Sequence, residues 1–217
     1  CLTGPTNGLL TSSGEKPRHY TGALMFGVLA LLFGLMAPTF TGLMLAAPKE
    51  YIMVLGGLAM LRVLQGAGIH TAGAGTDLAA AQAPAVWHAP SGERWLVFAW
   101  ACTDSGVPKP WQATPQAPGI QTLNTLDERS ALQLADTVAR YRQPGDRVIV
   151  SLHWGSNWGW DVPAEQQKFA HRLIEWDVAD VVHGHSSHHP RPVEVYQGKL
   201  ILYGCGDLVN DYEGIGR

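Results

Sequence analysis

The sequence predicts an α/β domain over residues 67–217, preceded by an apolar, membrane-type helical segment over residues 1–66. In the second part, short apolar runs rich in Val and Ile alternate with stretches whose apolar residues recur at helical spacing, the pattern of an α/β fold. In the first part, residues 21–48 contain no charged side chain, and an apolar run of this length is a candidate transmembrane helix.

We expect residues 20–66 to be mainly helical and to contact membrane lipid through residues 21–61. A buried core helix is the alternative interpretation of the same run. The first interpretation predicts a membrane-associated protein, on a side of the membrane that the sequence does not determine, with residues 67–217 forming a soluble domain.

The first half of the α/β domain contains two predicted strands and two predicted helix starts. Residues 69–73 are predicted to form a short strand, and Asp77 then caps a short Ala-rich helix. Residues 95–102 form a buried strand, and the irregular stretch 103–124 that follows is either a substrate wall or a plain connection. Asp127 is predicted to cap the next helix.

The second half is predicted to contain a βαβ unit followed by a hairpin. Residues 147–151 and 178–182 are short runs rich in β-branched residues and predict two strands. The crossover helix between them is predicted to begin at Pro163, because proline suits a first helical position. Residues 193–196 and 199–203 predict the hairpin, joined by a two-residue turn that contains glycine.

Histidine is concentrated at the ends of the two strands of this βαβ unit. His153 follows the first strand, and His183, His185, His188 and His189 follow the second within seven residues. A βαβ unit brings both strand ends to the same edge of a sheet, where α/β proteins place their ligands. Imidazole is the commonest metal ligand near neutral pH, so this pattern indicates either metal binding or a polar loop with surface histidines.

Residues 151–159, SLHWGSNWG, and residues 165–215, which contain GHSSH, resemble the CapA family of poly-γ-glutamate capsule synthesis proteins, relatives of the calcineurin-like metallophosphoesterases. The resemblance covers residues 67–217 and implies an incomplete metallophosphoesterase-like sandwich. It also implies that His153, His185 and His188 are the metal-site and catalytic residues. We therefore expect their ring nitrogens to come within about 4–6 Å of a common point.

The resemblance further implies a divalent metal, Mn, Fe or Zn, and a polyanionic or phosphoester-type substrate. Asp207 is an additional metal candidate, and it stands where the family commonly has Asn. The early GD, NLE and NNH elements expected of metallophosphoesterase relatives are absent from residues 1–66. We therefore expect a site that is half present, holds one ion and hydrolyses phosphoesters poorly.

Residues 1–66 resemble a segment of a BenE-type benzoate transporter. This second resemblance predicts a fusion, either genuine or produced during gene assembly, and a membrane anchor on a capsule protein is the alternative. The function is accordingly predicted as a metal-dependent hydrolase-fold protein of capsule or poly-γ-glutamate biosynthesis. A transporter fragment joined to a non-catalytic CapA-like domain is the second prediction. The third is an anchored, non-catalytic assembly factor that has kept the fold and lost the metals.

Composition excludes some classes of function. The formal net charge of -3 and the lack of a basic patch argue against nucleic-acid binding. The three cysteines are widely spaced and contain no CxxC pair, which argues against a disulfide framework or a structural zinc site.

Overall fold

The structure, a computed structural model, describes residues 49–207, which belong to the compact unit Lys49–Arg217. Its helices are α1 (Lys49–Gly66), α2 (Leu78–Gln82), α3 (Glu128–Ala139) and α4 (Ala164–Glu175). Its strands are β1 (Ala74–Gly75), β2 (Ala85–His88), β3 (Arg94–Cys102), β4 (Gly119–Ile120), β5 (Thr122–Leu123), β6 (Arg147–His153), β7 (Val181–His185), β8 (Val193–Tyr196) and β9 (Lys199–Leu202).

Seven strands form one mixed sheet in the order β2-β3-β6-β7-β9-β8, with β5 beside the end of β3. Strands β3, β6, β7 and β9 are parallel, and β2 and β8 pair antiparallel at the edges. Strands β1 and β4 form a separate two-stranded sheet. The predicted α/β fold is therefore confirmed for the part of the chain that the structure describes.

One face of the large sheet forms the hydrophobic core together with helices α3 and α4. Alternate residues of β3, β6 and β7 are fully buried on this face, as expected for strands whose side chains point to opposite faces in turn. Each fully buried Val, Leu or Phe side chain contributes about 1.5–3 kcal/mol. The main contributors are Leu96, Phe98, Val148, Val150, Leu152, Val182, Leu134, Phe169 and Leu173.

The opposite face of the sheet is only half-buried. Val97, Ile149 and Val181 lie side by side on this face near the amino ends of the strands, and the rows of β6 and β7 end in His153 and His185. The half-buried face therefore carries the polar residues of the candidate site, while the buried face stabilises the fold.

Strand β7 begins at Val181, three residues later than the sequence predicts. Val178 and Ala179 instead close helix α4, because their backbone N–H groups both donate to Leu173 O at 2.9 and 3.2 Å. Asp177 adopts the left-handed conformation (φ 54) that ends many helices. The strand then continues to His185, so two histidines assigned to a loop lie in the strand.

The predicted helix caps are confirmed. Asp77 and Asp127 each accept a hydrogen bond at 2.8 Å from the backbone N–H three residues later, those of Ala80 and Ser130. Pro163 occupies the capping position before α4 rather than its first turn.

The predicted β8–β9 hairpin is also confirmed, and positive φ angles at Gln197 and Gly198 form its two-residue turn. In contrast, the predicted strand at residues 69–73 is replaced by the two-residue strand β1. The stretch 103–124 is less irregular than predicted, since it contains two 3₁₀ turns and strands β4 and β5.

Helix α1 confirms the helical prediction for residues 49–66, but it is not a membrane-type helix. Part of its surface meets the small sheet, with Val54, Leu58 and Leu61 lining a pocket beside Trp111. Charged and polar residues at both ends and Arg62 lower its hydropathy. Between residues 49 and 207, no helix is long and apolar enough to cross a membrane. The uncharged run 21–48 lies outside the described residues.

Candidate functional site

His153 and His185 lie side by side at the carboxyl ends of β6 and β7. The parallel register pairs them directly, so both side chains lie on the half-buried face. Their Nδ1 atoms are 3.2 Å apart and their ring centroids are 5.0 Å apart. The sheet ladder itself therefore brings these two predicted site residues into contact.

A second pair lies one step back along the same strands. Ser151 is the register partner of His183, and Ser151 Oγ lies 3.0 Å from His183 Nδ1. The rings of His183 and His185 are 5.5 Å apart. Three imidazoles and one hydroxyl thus form a continuous polar surface at this end of the sheet.

The protein environment keeps these imidazoles neutral at physiological pH. Burial lowers the pKa of both His153 and His183, and the nearby Asp104 carboxylate only partly opposes this effect at His153. The pKa of His185 falls to about 4, first through burial and then through repulsion from His153 and His183 when they are charged. Neutral imidazole is the form that binds metal ions.

A buried wall behind the histidines fixes the end of β7. Trp154 Nε1 donates to Tyr203 O at 3.1 Å, and the two rings stack with centroids 6.1 Å apart. A Cβ atom at Gly184 would collide with Trp154 Nε1 and would lie 2.6 Å from Tyr203 O. Glycine before His185 therefore allows β7 to approach this wall closely.

Hydrogen bonds join the loops that follow the two strands. We call residues 154–161 the first loop and residues 186–191 the second loop. The bonds make the two loops one structural unit around the histidines. They are Trp154 N to His185 O (3.0 Å), Ser186 Oγ to Gly155 O (2.9 Å) and His188 N to Asn157 O (3.1 Å).

The other two predicted ligands form a separate pair. His188 Nδ1 lies 2.9 Å from Asp207 Oδ2, and the His188 ring is 5.5 Å from the ring of Trp158. Within residues 49–207, no group of three or more His, Cys, Asp or Glu side chains is arranged to hold a metal ion. The structure thus brings His153 to His185 and His188 to Asp207, and the convergence of all three histidines on one ion stays a prediction.

Two tryptophans of the first loop border the second pair. Trp158 and Trp160 are 55% and 71% exposed, and the ring of Trp160 lies 4.4 Å from that of His189. Their sequence context allows stacking on a substrate or packing in a core or rim, of which packing is the more common. They are instead surface aromatics beside the candidate site.

Sequence reasoning missed Asp104 and Arg191. Asp104 lies in the 3₁₀ turn that directly follows β3, at the same edge of the sheet as His153, and an acidic residue at a parallel strand end was the available signal. Asp104 also borders a small cleft. No sequence pattern distinguished Arg191, whose burial only the structure reveals. The cleft is lined by Cys102, Thr103, Asp104, Asn124, Thr125, Leu126 and Glu165.

Histidines at neighbouring parallel strand ends define an α/β protein with a candidate ligand-binding edge. The chain belongs to the bacterial capsule synthesis protein PGA_cap family, whose model matches residues 54–212. This match confirms the capsule-protein resemblance predicted from the sequence.

The chain is 50% identical over 154 residues to the probable polyglutamine synthesis accessory proteins of two Mycobacterium tuberculosis strains, CDC 1551 / Oshkosh and ATCC 25618 / H37Rv. These alignments cover 70% of this chain and 40% of each relative. It is also 34% identical over 74 residues to the PGA biosynthesis protein CapA of Bacillus subtilis strain 168, covering 34% of this chain and 19% of that protein. The chain therefore spans 40% of the length of its mycobacterial relatives.

The comparisons do not support the benzoate-transporter resemblance. The family match begins at residue 54 and so includes residues 54–66, which that resemblance assigned to a transporter segment.

Proposed function

We propose that this chain is an accessory protein of capsule or poly-glutamate synthesis that holds a divalent metal ion through His153 and His185. The observation that carries the proposal is the 3.2 Å distance between their Nδ1 atoms. Two nitrogens bound to one tetrahedral zinc ion at about 2.0–2.1 Å lie about 3.3–3.4 Å apart. The pair therefore fits two ligands of one ion with little movement of either strand.

The chemistry of the donor set also favours this proposal. Both imidazoles are half-buried and neutral, and imidazole suits Zn, Fe and Mn-type metals. His183 lies next to His185, and its contact with Ser151 Oγ orients its ring. A bound ion would supply Lewis-acid polarisation or activation of a water molecule. The residues of this chain would hold the ion, orient their rings and limit access of solvent.

The same donor set argues for weak hydrolysis of phosphoesters by this chain. Neutral imidazoles bring no negative charge, so they do not offset the charge of two divalent ions. Asp207 is engaged by His188, and Asp104 acts on His153 through its charge. A polyanionic or phosphoester substrate and a metal-dependent hydrolase fold remain part of the proposal, with the names of the relatives supporting a place in capsule or poly-glutamate synthesis.

A non-catalytic accessory role is the second candidate. It is favoured by the separation of the predicted ligands into two pairs and by the words "accessory protein" in the names of the mycobacterial relatives. Both candidates share the ion held by His153 and His185, and they differ in turnover.

The test combines metal binding with turnover on an aryl phosphate in added Mn²⁺ or Zn²⁺. We expect one ion per chain, loss of that ion in His153→Ala, and no turnover above the level of this variant. Robust turnover that His153→Ala abolishes would show a complete catalytic site and contradict the weak-hydrolysis proposal. Wild-type protein that binds neither metal would contradict the metal site itself.

A further inference from the structure

We infer that Arg191 is a positioning residue, which fixes the first loop to the second and thereby sets the geometry around His153 and His185. Arg191 ends the second loop and is only 6% exposed, so its guanidinium lies inside the protein. The consequence for metal affinity rests on the proposed function, whereas the coupling of the loops does not.

The guanidinium of Arg191 bonds only to the first loop among the contacts that the structure describes. Its Nη2 donates to Ser156 O at 3.1 Å, to Ser156 Oγ at 3.3 Å and to Trp158 O at 3.4 Å. These acceptors lie three to five residues after His153. A planar guanidinium can serve several acceptors in fixed directions, which a lysine ammonium cannot reproduce.

The surroundings of Arg191 are unusual for a buried cation. Over residues 54–207, no Asp or Glu oxygen lies within 4.0 Å of its nitrogens, and its Nε has no hydrogen-bond partner. Burying a charge without a carboxylate partner is costly. The burial of Arg191 is therefore better explained by its role in placing the first loop than by stabilisation of the fold.

Gly155 shows how closely the guanidinium packs on the first loop. Gly155 has φ 70, and a Cβ atom built there would lie 3.4 Å from Arg191 Nη1 and 2.5 Å from Gln166 Nε2. Gln166 is fully buried, and neither of its side-chain polar atoms has a hydrogen-bond partner among the described residues. The backbone two residues after His153 is thus enclosed by Arg191 and Gln166.

Arg191 completes the set of bonds between the two loops. Ser186 Oγ and His188 N bond to the first loop from the start and middle of the second, and Arg191 bonds to it from the end. Among the described residues, loss of the guanidinium would leave the segment 156–158 held to the second loop by one hydrogen bond, at Asn157 O, and by the ring contacts of Trp158. We therefore expect the first loop to open and the spacing between His153 and His185 to vary more.

The experiment compares Arg191→Met and Arg191→Lys with a matched control, Arg147→Met. Arg147 lies at the other end of β6 and its side chain is 52% exposed. In the full chain, Zn²⁺ affinity is measured by calorimetry, loop protection by hydrogen exchange of residues 154–160, and stability by thermal unfolding. We expect Arg191→Met to weaken Zn²⁺ binding about 10–100-fold and to speed exchange of the first loop, with unchanged thermal stability. Arg191→Lys should be intermediate, and Arg147→Met should match the wild type.

Each outcome decides the inference. Wild-type affinity and wild-type loop protection in Arg191→Met would overturn it. A general loss of stability without selective exchange of the first loop would also overturn it, because that result indicates a purely structural role. If the wild type binds no Zn²⁺, the proposed function fails, and hydrogen exchange alone then decides the role of Arg191. If Arg191→Met does not fold, the same measurements on Arg191→Lys decide it.

Discussion

Two histidine contacts in this protein differ in the charge of the partner. His153 faces His185, a second imidazole, whereas His171 of helix α4 has its Nε2 2.9 Å from Glu194 Oε1 on strand β8. The His171 ring also stacks on Tyr196, with centroids 3.8 Å apart and planes within 4°. In one region, histidine therefore contacts a carboxylate and joins helix α4 to the β8–β9 hairpin. In the other, it pairs with a second, neutral imidazole.

Glu194 contacts two side chains, those of His171 and Tyr203. Tyr203 donates its hydroxyl to Glu194 Oε2 at 2.7 Å, and this bond, followed by the one from His171, lowers the pKa of Glu194. Tyr203 connects in turn to Trp154 behind the candidate site. An imidazole whose partner is a carboxylate has its charge balanced locally, while a pair of neutral imidazoles can accept a cation. This difference predicts which histidine controls stability and which controls metal binding.

The largest expected effect separates the two regions by metal affinity. His185→Ala should weaken Zn²⁺ binding about 100-fold or more, because loss of a direct ligand exceeds the 10–100-fold typical of supporting residues. His171→Ala should change the affinity less than about 3-fold, since it lies outside the candidate site. Calorimetric titration of both variants measures these affinities. Equal losses of Zn²⁺ affinity in the two variants would contradict the assignment of metal binding to His185.

A smaller effect is expected on stability, through the contacts of Glu194 with His171 and Tyr203. Glu194→Ala should lower the free energy of unfolding by about 2 kcal/mol, because it leaves the hydroxyl of buried Tyr203 without its acceptor. Glu175→Ala is the matched control, since Glu175 accepts an exposed hydrogen bond from Tyr196, and it should cost less than about 1 kcal/mol. Urea unfolding measures both. Unchanged Zn²⁺ affinity in Glu194→Ala would support the distinction between a region that controls stability and one that controls metal binding. A large loss of affinity would contradict that distinction.

The smallest effect is the pH dependence of the metal-free protein. The pKa of His185 is lowered from 6.5 to about 4 in the folded state, so the unfolded chain binds more protons between these values. The free energy of unfolding should therefore fall as pH drops from about 6.5 to about 4, and this contribution should level off below. Allowing for solvent screening of a half-buried ring, we expect about 1–2 kcal/mol.

Urea unfolding at several pH values, in the presence of a chelator, measures this contribution as the difference between wild type and His185→Gln. A difference that is constant across this pH range would show that His185 does not titrate as the structure indicates.

The features that the sequence predicted well depend on local chemistry. Caps at Asp77 and Asp127 and the turn at Gln197 need only a few neighbouring residues, so their pattern is sufficient. The pairing of His153 with His185 followed from strand ends in a βαβ unit. Residues 178–180 were assigned to a strand because their composition fits one, but the backbone N–H groups of Val178 and Ala179 bond to α4 instead of to a neighbouring strand.

Long-range packing explains what the sequence did not predict. The burial of Arg191 depends on the contact between two loops that follow different strands, and no local sequence pattern predicts that contact. Likewise, the contact between His188 and Asp207 joins residues on either side of the hairpin. Their residue types predicted metal ligands, and in the structure the two side chains contact each other.

The direct register between β6 and β7 makes the histidine pair independent of the length of the chain that connects the two strands. The ladder places the two backbones side by side, because the crossover returns the chain to the neighbouring edge of β6. That connection includes the first loop, which Arg191 holds against the second loop, and helix α4, which packs in the core. The strands thus encode which imidazoles are paired, whereas the connection contributes core packing and the surroundings of the pair.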